Sequence, residues 1–183
     1  NAILIRPPAV YGPGDRGTLP LIKELTRPVA AIPGLPNARF SLIHGHDLAR
    51  IIDIAAQSDT QGVHEVSDGK PGGYGWDDLI RTASGFRGAP IRPIFLPRAI
   101  PAAVATLAEG LSRVTCKAGM VNRGKIAELY HPDWVARPSG LALADPTAFD
   151  TGFAETVTWY RNAGWLPRGR GTDTRTPSSR TSQ

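Results

Sequence analysis

The segment AILIRPPAVYGPGD (residues 2–15) decides the fold of this chain. Its first four residues form an apolar, β-branched run of the kind found in buried parallel strands. Pro7 and Pro8 soon follow, and proline ends a strand because it has no N–H to donate to the ladder. The glycine- and proline-rich stretch 11–15 is a turn cluster. The segment therefore predicts a buried strand over residues 2–5 that leaves its sheet through a rigid turn.

Further along the chain, hydrophobic periodicity predicts helices over residues 19–25, 47–56, 76–84, 97–114, 124–130 and 151–163. Extended segments are predicted over 40–44, 62–67 and 90–96, and a loop or short hairpin over 28–36. The helix that starts at Asp47 is regular, because its apolar residues recur at the period of a buried stripe. Asp47 is a suitable N-cap for it. Gly164 is suited to the C′ position after the last helix.

The positive charge is concentrated at the end of the chain. The formal net charge is +5, and residues 168–183 carry four arginines against the single acid Asp173. Because the rest is nearly balanced, the charge gives little support to nucleic-acid binding, which uses a basic folded face. Residues 167–183 cannot form a core, so we expect a disordered basic tail there and a folded unit over 1–166. No apolar run reaches the roughly 18 residues of a membrane span. We expect no nucleic-acid or membrane partner and a cytoplasmic location.

Few residues suggest metal or nucleophilic chemistry. Cys116 is the only cysteine, and no base is identifiable near it, so a small buried apolar role is favoured over a nucleophile. The histidines at positions 44, 46, 64 and 131 have no cysteine or carboxylate cluster to complete a ligand set, so no metal site is predicted. Ser41, His44 and Asp47 share one short strand and turn without a nucleophile elbow, so they do not indicate a catalytic triad.

Gly69, Gly72 and Gly75 match the G-x-x-G-x-x-G spacing of a dinucleotide-binding loop. In a working loop the glycines let the backbone approach a pyrophosphate at a helix N-terminus. Here Asp68 and Asp77 flank the turn with negative charge, and no acid lies about 20 residues further on to hold a ribose. We therefore interpret this stretch as a surface turn.

Four landmarks taken together resemble the extended short-chain dehydrogenase/reductases. The first is the strand and Tyr-Gly-Pro-Gly turn of residues 2–15, and the second is the strand and Asp-Leu-Ala helix start over 41–49. The third is the Val-Ser-Asp-Gly turn at 66–69, and the fourth is the closing helix before the Gly-Trp-Leu of 164–166. They occur in the family's order and span most of the chain. Within the family the chain is similar in character to NAD-dependent epimerases/dehydratases and 3β-hydroxysteroid-dehydrogenase-like enzymes.

The resemblance implies an α/β fold in which this chain supplies the last strands of a Rossmann-type sheet and a small, mostly helical substrate domain. It implies a parent enzyme that uses NAD or NADP on a hydroxyl or carbonyl carbon of a small-molecule substrate. Pro7, Pro8 and Val10 would line the nicotinamide, while a rigid strand exit explains the prolines equally well. Tyr11 and Arg16 would face the substrate cleft, with a packed aromatic as the other interpretation of Tyr11.

Arg39 is a further substrate-binding candidate, because sugar-nucleotide members of the family often hold a diphosphate with an arginine before this strand. It stands one residue away from the family's position, which favours a solvated surface arginine. No tyrosine in the chain has a lysine four residues later, so the family's acid/base pair for hydride transfer is not here. We therefore predict no catalytic residue, no activity of this chain alone, and the missing N-terminal half of the same fold as its partner.

The abrupt apolar start after Asn1 is typical of a chain cut at the edge of a strand. Three other hypotheses stay open: an inactive relative that binds a nucleotide or partner as a scaffold, a stand-alone helical binding module, and a nucleic-acid binder that uses the basic tail. A glycine-rich strand–helix and a Tyr-x-x-x-Lys upstream of Asn1 would favour the enzyme. The sequence leaves open the substrate, the choice between NAD and NADP, and whether a homodimer forms.

Overall fold

The computed structural model describes residues 2–103, 123–137 and 140–167. Three predictions lie wholly or partly outside these ranges: the role of Cys116, the end of the helix over 97–114, and the tail after residue 167. The described strands are β1 (Ile3–Arg6), β2 (Ala9–Tyr11), β3 (Val29–Pro33), β4 (Arg39–Phe40), β5 (Leu42–His44), β6 (Gly62–Glu65), β7 (Tyr74–Gly75), β8 (Arg92–Leu96) and β9 (Asp133–Trp134). The helices are α1 (Leu19–Leu25), α2 (Gly45–Ala56), α3 (Trp76–Arg87), α4 (Arg123–Leu129) and α5 (Phe149–Asn162). Residues 99–103 are also helical.

Parallel pairing dominates the sheets. β1 pairs with β6, β2 pairs with β5, and β3 pairs with β8, in each case in parallel. Parallel partners cannot be joined by a tight turn, so each pair is separated in sequence by a crossover that contains a helix. This arrangement confirms the predicted α/β class. The predicted first strand is present and parallel, shifted by one residue.

A fourth, mixed sheet gathers short strands from distant parts of the chain. β4 is its centre, with β7 antiparallel on one side and β9 parallel on the other. The predicted strand over 40–44 is thus two strands, β4 and β5, that belong to different sheets. Together with the β3–β8 ribbon, this sheet gives the predicted mostly helical part of the chain a substantial β component.

Two apolar clusters form the core. The larger joins α1, α3 and α5 to the inner face of the β3–β8 ribbon, with Leu25, Ile32, Phe153 and Tyr160 fully buried. The smaller packs α2 against β1 and β5 through residues that include Ile43, Ile51 and Ala55. Of the stripe predicted for α2, Leu48, Ile51 and Ala55 pack in this cluster, while Ile52 stays about half exposed.

Two local predictions are wrong. Asp47 is not the N-cap of α2: the helix starts at Gly45, and His44, in an extended conformation, holds the cap position. The stretch 28–36 contains the strand β3 instead of a loop or hairpin. Its prolines suggested irregular structure, but β3 is an edge strand of a two-stranded sheet, where the missing N–H of Pro33 costs little. Gly164 does take the predicted C′ position, with φ +74°.

Candidate functional site

The carboxyl ends of β2 and β5 bring Tyr11 and His44 side by side. The two strands run parallel in register, so Tyr11 is opposite His44, and their rings meet edge to face at 5.3 Å. Ligands of open α/β sheets bind at this edge. Both side chains are buried, however, and among the described residues neither the Tyr11 hydroxyl nor either His44 ring nitrogen has a hydrogen-bond partner. The nearest carboxylate oxygen, on Glu155, is 3.8 Å from His44 Nε2.

Tyr11 points into the core and not into an open cleft. Its ring packs at 5.4 Å from that of Phe149, and its hydroxyl lies against Gly152 of α5. Burial, reinforced by the charges of Asp68 and Asp47, raises the pKa of the Tyr11 phenol far above its ordinary value. In this position the phenol stays protonated at neutral pH.

Asp47 ties α2 to the segment that precedes α5. Its carboxylate is almost completely buried and accepts a hydrogen bond from the backbone N–H of Thr147 at 2.6 Å. Arg50 contacts the same carboxylate at 3.3 Å and also pairs with Asp145 at 2.7 Å. The Asp-Leu-Ala landmark therefore acts as a structural link between the two cores.

The turn after Tyr11 is fastened to α1 and to the end of α5. The Asp15 carboxylate accepts hydrogen bonds from the N–H groups of Gly17 and Thr18, and the Asp15 carbonyl accepts one from the Tyr160 hydroxyl. Arg16 is exposed, and its guanidinium lies 4.9 Å from the centre of the Trp165 ring. Arg16 thus lies beside Trp165, just after the end of α5, whereas the Tyr11 ring is buried.

The three residues predicted to line the nicotinamide lie at the junction of β1 and β2. Pro7 is exposed, and Pro8 and Val10 are half-buried. Val10 is in the middle of β2 and packs against the smaller core cluster, where the sequence suggested an open loop. The prolines and Val10 offer an apolar surface that fits the face of an aromatic ring, but they carry no side-chain donor for a phosphate. Their role with a cofactor stays a prediction.

Arg39 holds the glycine-rich turn in place. Its Nε donates to the carbonyl of Gly72 at 3.0 Å, and its Nη2 donates to the carbonyl of Gly73 at 3.2 Å. Lys70 in the same turn pairs with Asp78 at 3.1 Å and lies 4.0 Å above the Tyr74 ring. The predicted turn is present, and its basic groups are engaged within the turn and with the adjoining ends of β4 and α3. Arg39 and Tyr11 lie on separate sheets, and each contacts different neighbours.

A cleft of about 370 Å³ lies at the carboxyl ends of β3 and β8. This volume is within the range of small-molecule sites. Most of the lining is apolar, and it comes from the ends of the two strands and the turns after them: Leu35, Pro36, Phe95, Leu96 and Pro97. Arg98 is the one charged residue among those that line it.

Hydrogen bonds and tight packing fix the walls of this cleft. The Trp76 indole N–H donates to the Leu35 carbonyl at 2.9 Å, and the Tyr130 hydroxyl donates to the Leu96 carbonyl. Gly34 fits beneath the Trp76 ring, where an added Cβ would stand 3.3 Å from the ring and from the Leu129 carbonyl. The sequence interpretation missed this cleft because its two halves are far apart in the chain. The available signal was a turn former directly after each strand, Gly34 after β3 and Pro97 after β8.

Two further searches of the described residues were negative. They contain no group of three or more His, Cys, Asp or Glu side chains placed to share a metal ion. None of the helices within the described ranges combines the length and the apolar character needed to cross a bilayer.

Comparisons with known proteins identify the fold. No family model matches the sequence. A ceramide reductase from Caulobacter vibrioides is 36% identical over 174 residues, which are 92% of this chain and 54% of that protein. The chain thus spans about half the length of the curated relative that it matches.

The similar solved structures are NAD-dependent epimerases and dehydratases. A UDP-N-acetylglucosamine 4-epimerase from Methanobrevibacter ruminantium, in complex with UDP-N-acetylmuramic acid, matches with a TM-score of 0.61 and 18% identity, over 88% of this chain and 46% of that one. A UDP-glucose 4-epimerase from Thermus thermophilus, in complex with NAD, matches with a TM-score of 0.54 and 15% identity, over 88% of this chain and 47% of that one. At these identities the likeness concerns the fold. The fold of the chain therefore matches that of the C-terminal portion of NAD-dependent epimerases and dehydratases, which belong to the extended short-chain dehydrogenase/reductases that its four sequence landmarks resemble.

Proposed function

We propose that this chain is the C-terminal part of an NAD(P)-dependent oxidoreductase that reduces a ketone on a lipid of the ceramide class. The observation that carries the proposal is the 36% identity to a ceramide reductase over 92% of the chain. The epimerases and dehydratases of the same fold are less similar, at 15% to 18% identity for the two compared above. The parent protein would be cytoplasmic, with the folded unit over 1–166 and the basic tail over 167–183 as separate parts.

The geometry supports a substrate with an apolar body. The cleft at the ends of β3 and β8 is lined mostly by apolar side chains, with Arg98 as the one charged lining residue. Arg39, the candidate for binding a substrate diphosphate, donates hydrogen bonds to the carbonyls of Gly72 and Gly73. A nucleotide sugar would have to compete with these hydrogen bonds, whereas a lipid would not need them.

The division of labour follows from which motifs the chain carries. This part contributes the substrate cleft and the β1–β2 junction, where Pro7, Pro8 and Val10 would contact the nicotinamide. The bound cofactor would supply the hydride. The tyrosine–lysine pair and the phosphate loop would come from the N-terminal half, so the 183-residue chain alone would have no turnover and little affinity for NAD(P).

A second candidate function is epimerisation or dehydration of a nucleotide sugar. It is favoured by the solved structures, among them the epimerase in complex with UDP-N-acetylmuramic acid. A catalytically inactive scaffold of the same fold is a third. If the second candidate function is correct, Arg39 would break its hydrogen bonds to the turn and bind the diphosphate when the substrate binds. The two enzymatic candidates therefore predict different effects of Arg39 variants.

The test uses the protein expressed from its complete reading frame. We expect it to oxidise NADPH or NADH when given a ceramide that carries a ketone, and to ignore UDP-glucose and UDP-N-acetylglucosamine. The isolated 183-residue chain serves as the control and should neither turn over nor quench NADH fluorescence in the micromolar range. Turnover of the nucleotide sugars alone would favour the second candidate, and binding of a nucleotide without any turnover would favour the scaffold.

A further inference from the structure

The cleft at the carboxyl ends of β3 and β8 has the properties of a hydrocarbon site. Two carbonyl groups of its walls are already engaged: the Leu35 carbonyl accepts from Trp76, and the Leu96 carbonyl accepts from Tyr130. A polar ligand would leave its own donors and acceptors without partners on these walls, and that carries a large cost in an apolar site. A hydrocarbon chain has none to satisfy, and it gains free energy by leaving water.

The cleft is also preformed, which favours a flexible ligand. Gly34 packs closely between the Trp76 ring and the Leu129 carbonyl, where an added Cβ would stand 3.3 Å from each. The Trp76 ring packs in turn against Phe40 and Phe95, with ring centres 5.2 and 6.3 Å away. A rigid apolar wall binds a flexible chain without having to be ordered itself, which reduces the entropic cost of association.

Apolar surface continues outward from the mouth of the cleft. Ile94 lies two residues before Leu96, so it faces the same side of β8, and its side chain is 47% exposed. Ile100, three residues after Pro97, is 49% exposed. Leu96 at the mouth and Ile94 beyond it therefore form an apolar path along the outer face of the ribbon, with Arg92 and Arg98 beside it. This path can guide a chain that is longer than the cleft.

We propose that the cleft binds the hydrocarbon chain of the substrate, with Leu35 and Leu96 as residues that determine chain-length specificity. This inference rests on the proposed function, since the lipid class of the substrate comes from there. Arg98, the one charged residue among those that line the cleft, would lie near the polar part of the lipid.

The experiment measures turnover of keto-lipids whose acyl chains grow by two carbons at a time, with the protein expressed from its complete reading frame. Each methylene that enters the cleft should raise kcat/KM about fourfold, until the cleft is full. Leu35→Trp, which fills the cleft, should abolish this dependence while short-chain substrates are still reduced. The matched control is Ile54→Trp on α2, an equal enlargement at an exposed position outside the cleft, which should keep the wild-type dependence.

A second variant and a second measurement protect the test against misfolding. Leu35→Asn is smaller than the leucine and polar, so it fits the fold but should weaken the gain for each methylene. Calorimetric binding of a ceramide analogue without a ketone should weaken about tenfold or more in both Leu35 variants. If turnover occurs but does not depend on chain length, or if both Leu35 variants bind the analogue like the wild type, the cleft assignment is overturned while the reductase proposal stands. If no keto-lipid is reduced although the analogue binds through Leu35, the proposed function fails and the hydrocarbon site stands.

Discussion

The hydroxyl of Tyr11 lies against Gly152 so closely that a Cβ added to the glycine would stand 2.6 Å from the phenolic oxygen. The contact joins the end of β2 to the first turn of α5, within the larger core. It explains why a glycine is found inside a helix, where alanine is ordinarily better by about 1 kcal/mol. The tyrosine of the first landmark therefore packs against a glycine of the closing helix, and the two positions constrain each other's size.

We predict that Gly152→Ala destabilises the chain by about 2 kcal/mol, since the new methyl group overpacks a rigid site. Tyr11→Phe alone should be neutral or stabilising, because it removes a buried hydroxyl that has no partner among the described residues. The double variant should recover part of the loss, as the phenolic oxygen is the nearest clash. Gly85→Ala in α3, where a Cβ would meet nothing within 4 Å, is the matched control and should stabilise slightly. Urea denaturation measures all four, and a harmless Gly152→Ala would contradict the contact.

Asp47→Asn should cost about 2 kcal/mol of unfolding free energy. The carboxylate is buried, holds the Thr147 amide and pairs with Arg50, so a neutral amide loses a charge-assisted bond in a low-dielectric setting. Asp53→Asn on the exposed side of the same helix should change stability by less than about 0.5 kcal/mol. Equal effects of the two changes, measured by thermal and urea unfolding, would mean that Asp47 acts only through the charge of the helix.

Asp78 makes a prediction about acid stability. The N–H of Gly75, with Lys70 and Arg81, holds the pKa of Asp78 below its ordinary value. A carboxyl whose folded pKa is depressed adds stability above its unfolded pKa of about 4, and this stability is lost as the pH falls through the lower folded pKa. Asp78→Asn should therefore lower stability at pH 7 by about 1 kcal/mol and flatten the loss of stability below pH 4. Asp77→Asn, next to it and exposed, should keep the wild-type slope in unfolding curves from pH 2 to 7.

Arg39→Ala should lower stability by about 1 kcal/mol, because the Gly72 and Gly73 carbonyls lose their donors. In the protein expressed from its complete reading frame, turnover of a keto-lipid should stay within about twofold once the variant is folded. Arg81→Ala, also exposed and near the turn, is the control for loss of positive charge. A large rise in KM for a nucleotide sugar in Arg39→Ala would instead support diphosphate binding.

Val10→Asp tests the nicotinamide assignment in the protein expressed from its complete reading frame. Val10 is half-buried in β2, so a charge there should cost about 2 kcal/mol of stability. If Val10 also lines the nicotinamide, affinity for the cofactor should fall about tenfold or more. Val29→Asp, at an exposed position on β3, should change neither the stability of the protein nor its affinity for the cofactor. Lost stability with unchanged cofactor affinity would make Val10 a core residue only.

The sequence predicted the elements whose signals are local. The bounds of α1 were matched because Pro20 in the first turn and a short apolar stripe mark it. The closing helix and Gly164 were found for the same reason. The strand β3 was missed because prolines surround it. Its partner, β8, is also distant in the sequence, since Val29 pairs with Arg92, so no neighbouring turn marks the pairing.

The candidate site was less predictable, because its residues gain meaning only from tertiary contacts. Tyr11, Arg16 and Arg39 were singled out from a family pattern, yet Tyr11 is buried, Arg16 lies on Trp165, and Arg39 closes a turn. The β3–β8 cleft carries no motif of its own. It exists because two distant strands end at the same edge of a ribbon, which composition and periodicity cannot reveal.

The parallel pairing of the strands has a consequence for co-translational folding of the protein. Ile3 can pair only after Gly62 has been synthesised, Ala9 only after Leu42, and Val29 only after Arg92. At ordinary rates of translation the delay between the synthesis of a strand and that of its partner is roughly 2 to 13 seconds. During that time each early strand offers its unpaired backbone to any passing chain. The nascent polypeptide should therefore depend on holdase chaperones, and slower translation should increase its aggregation.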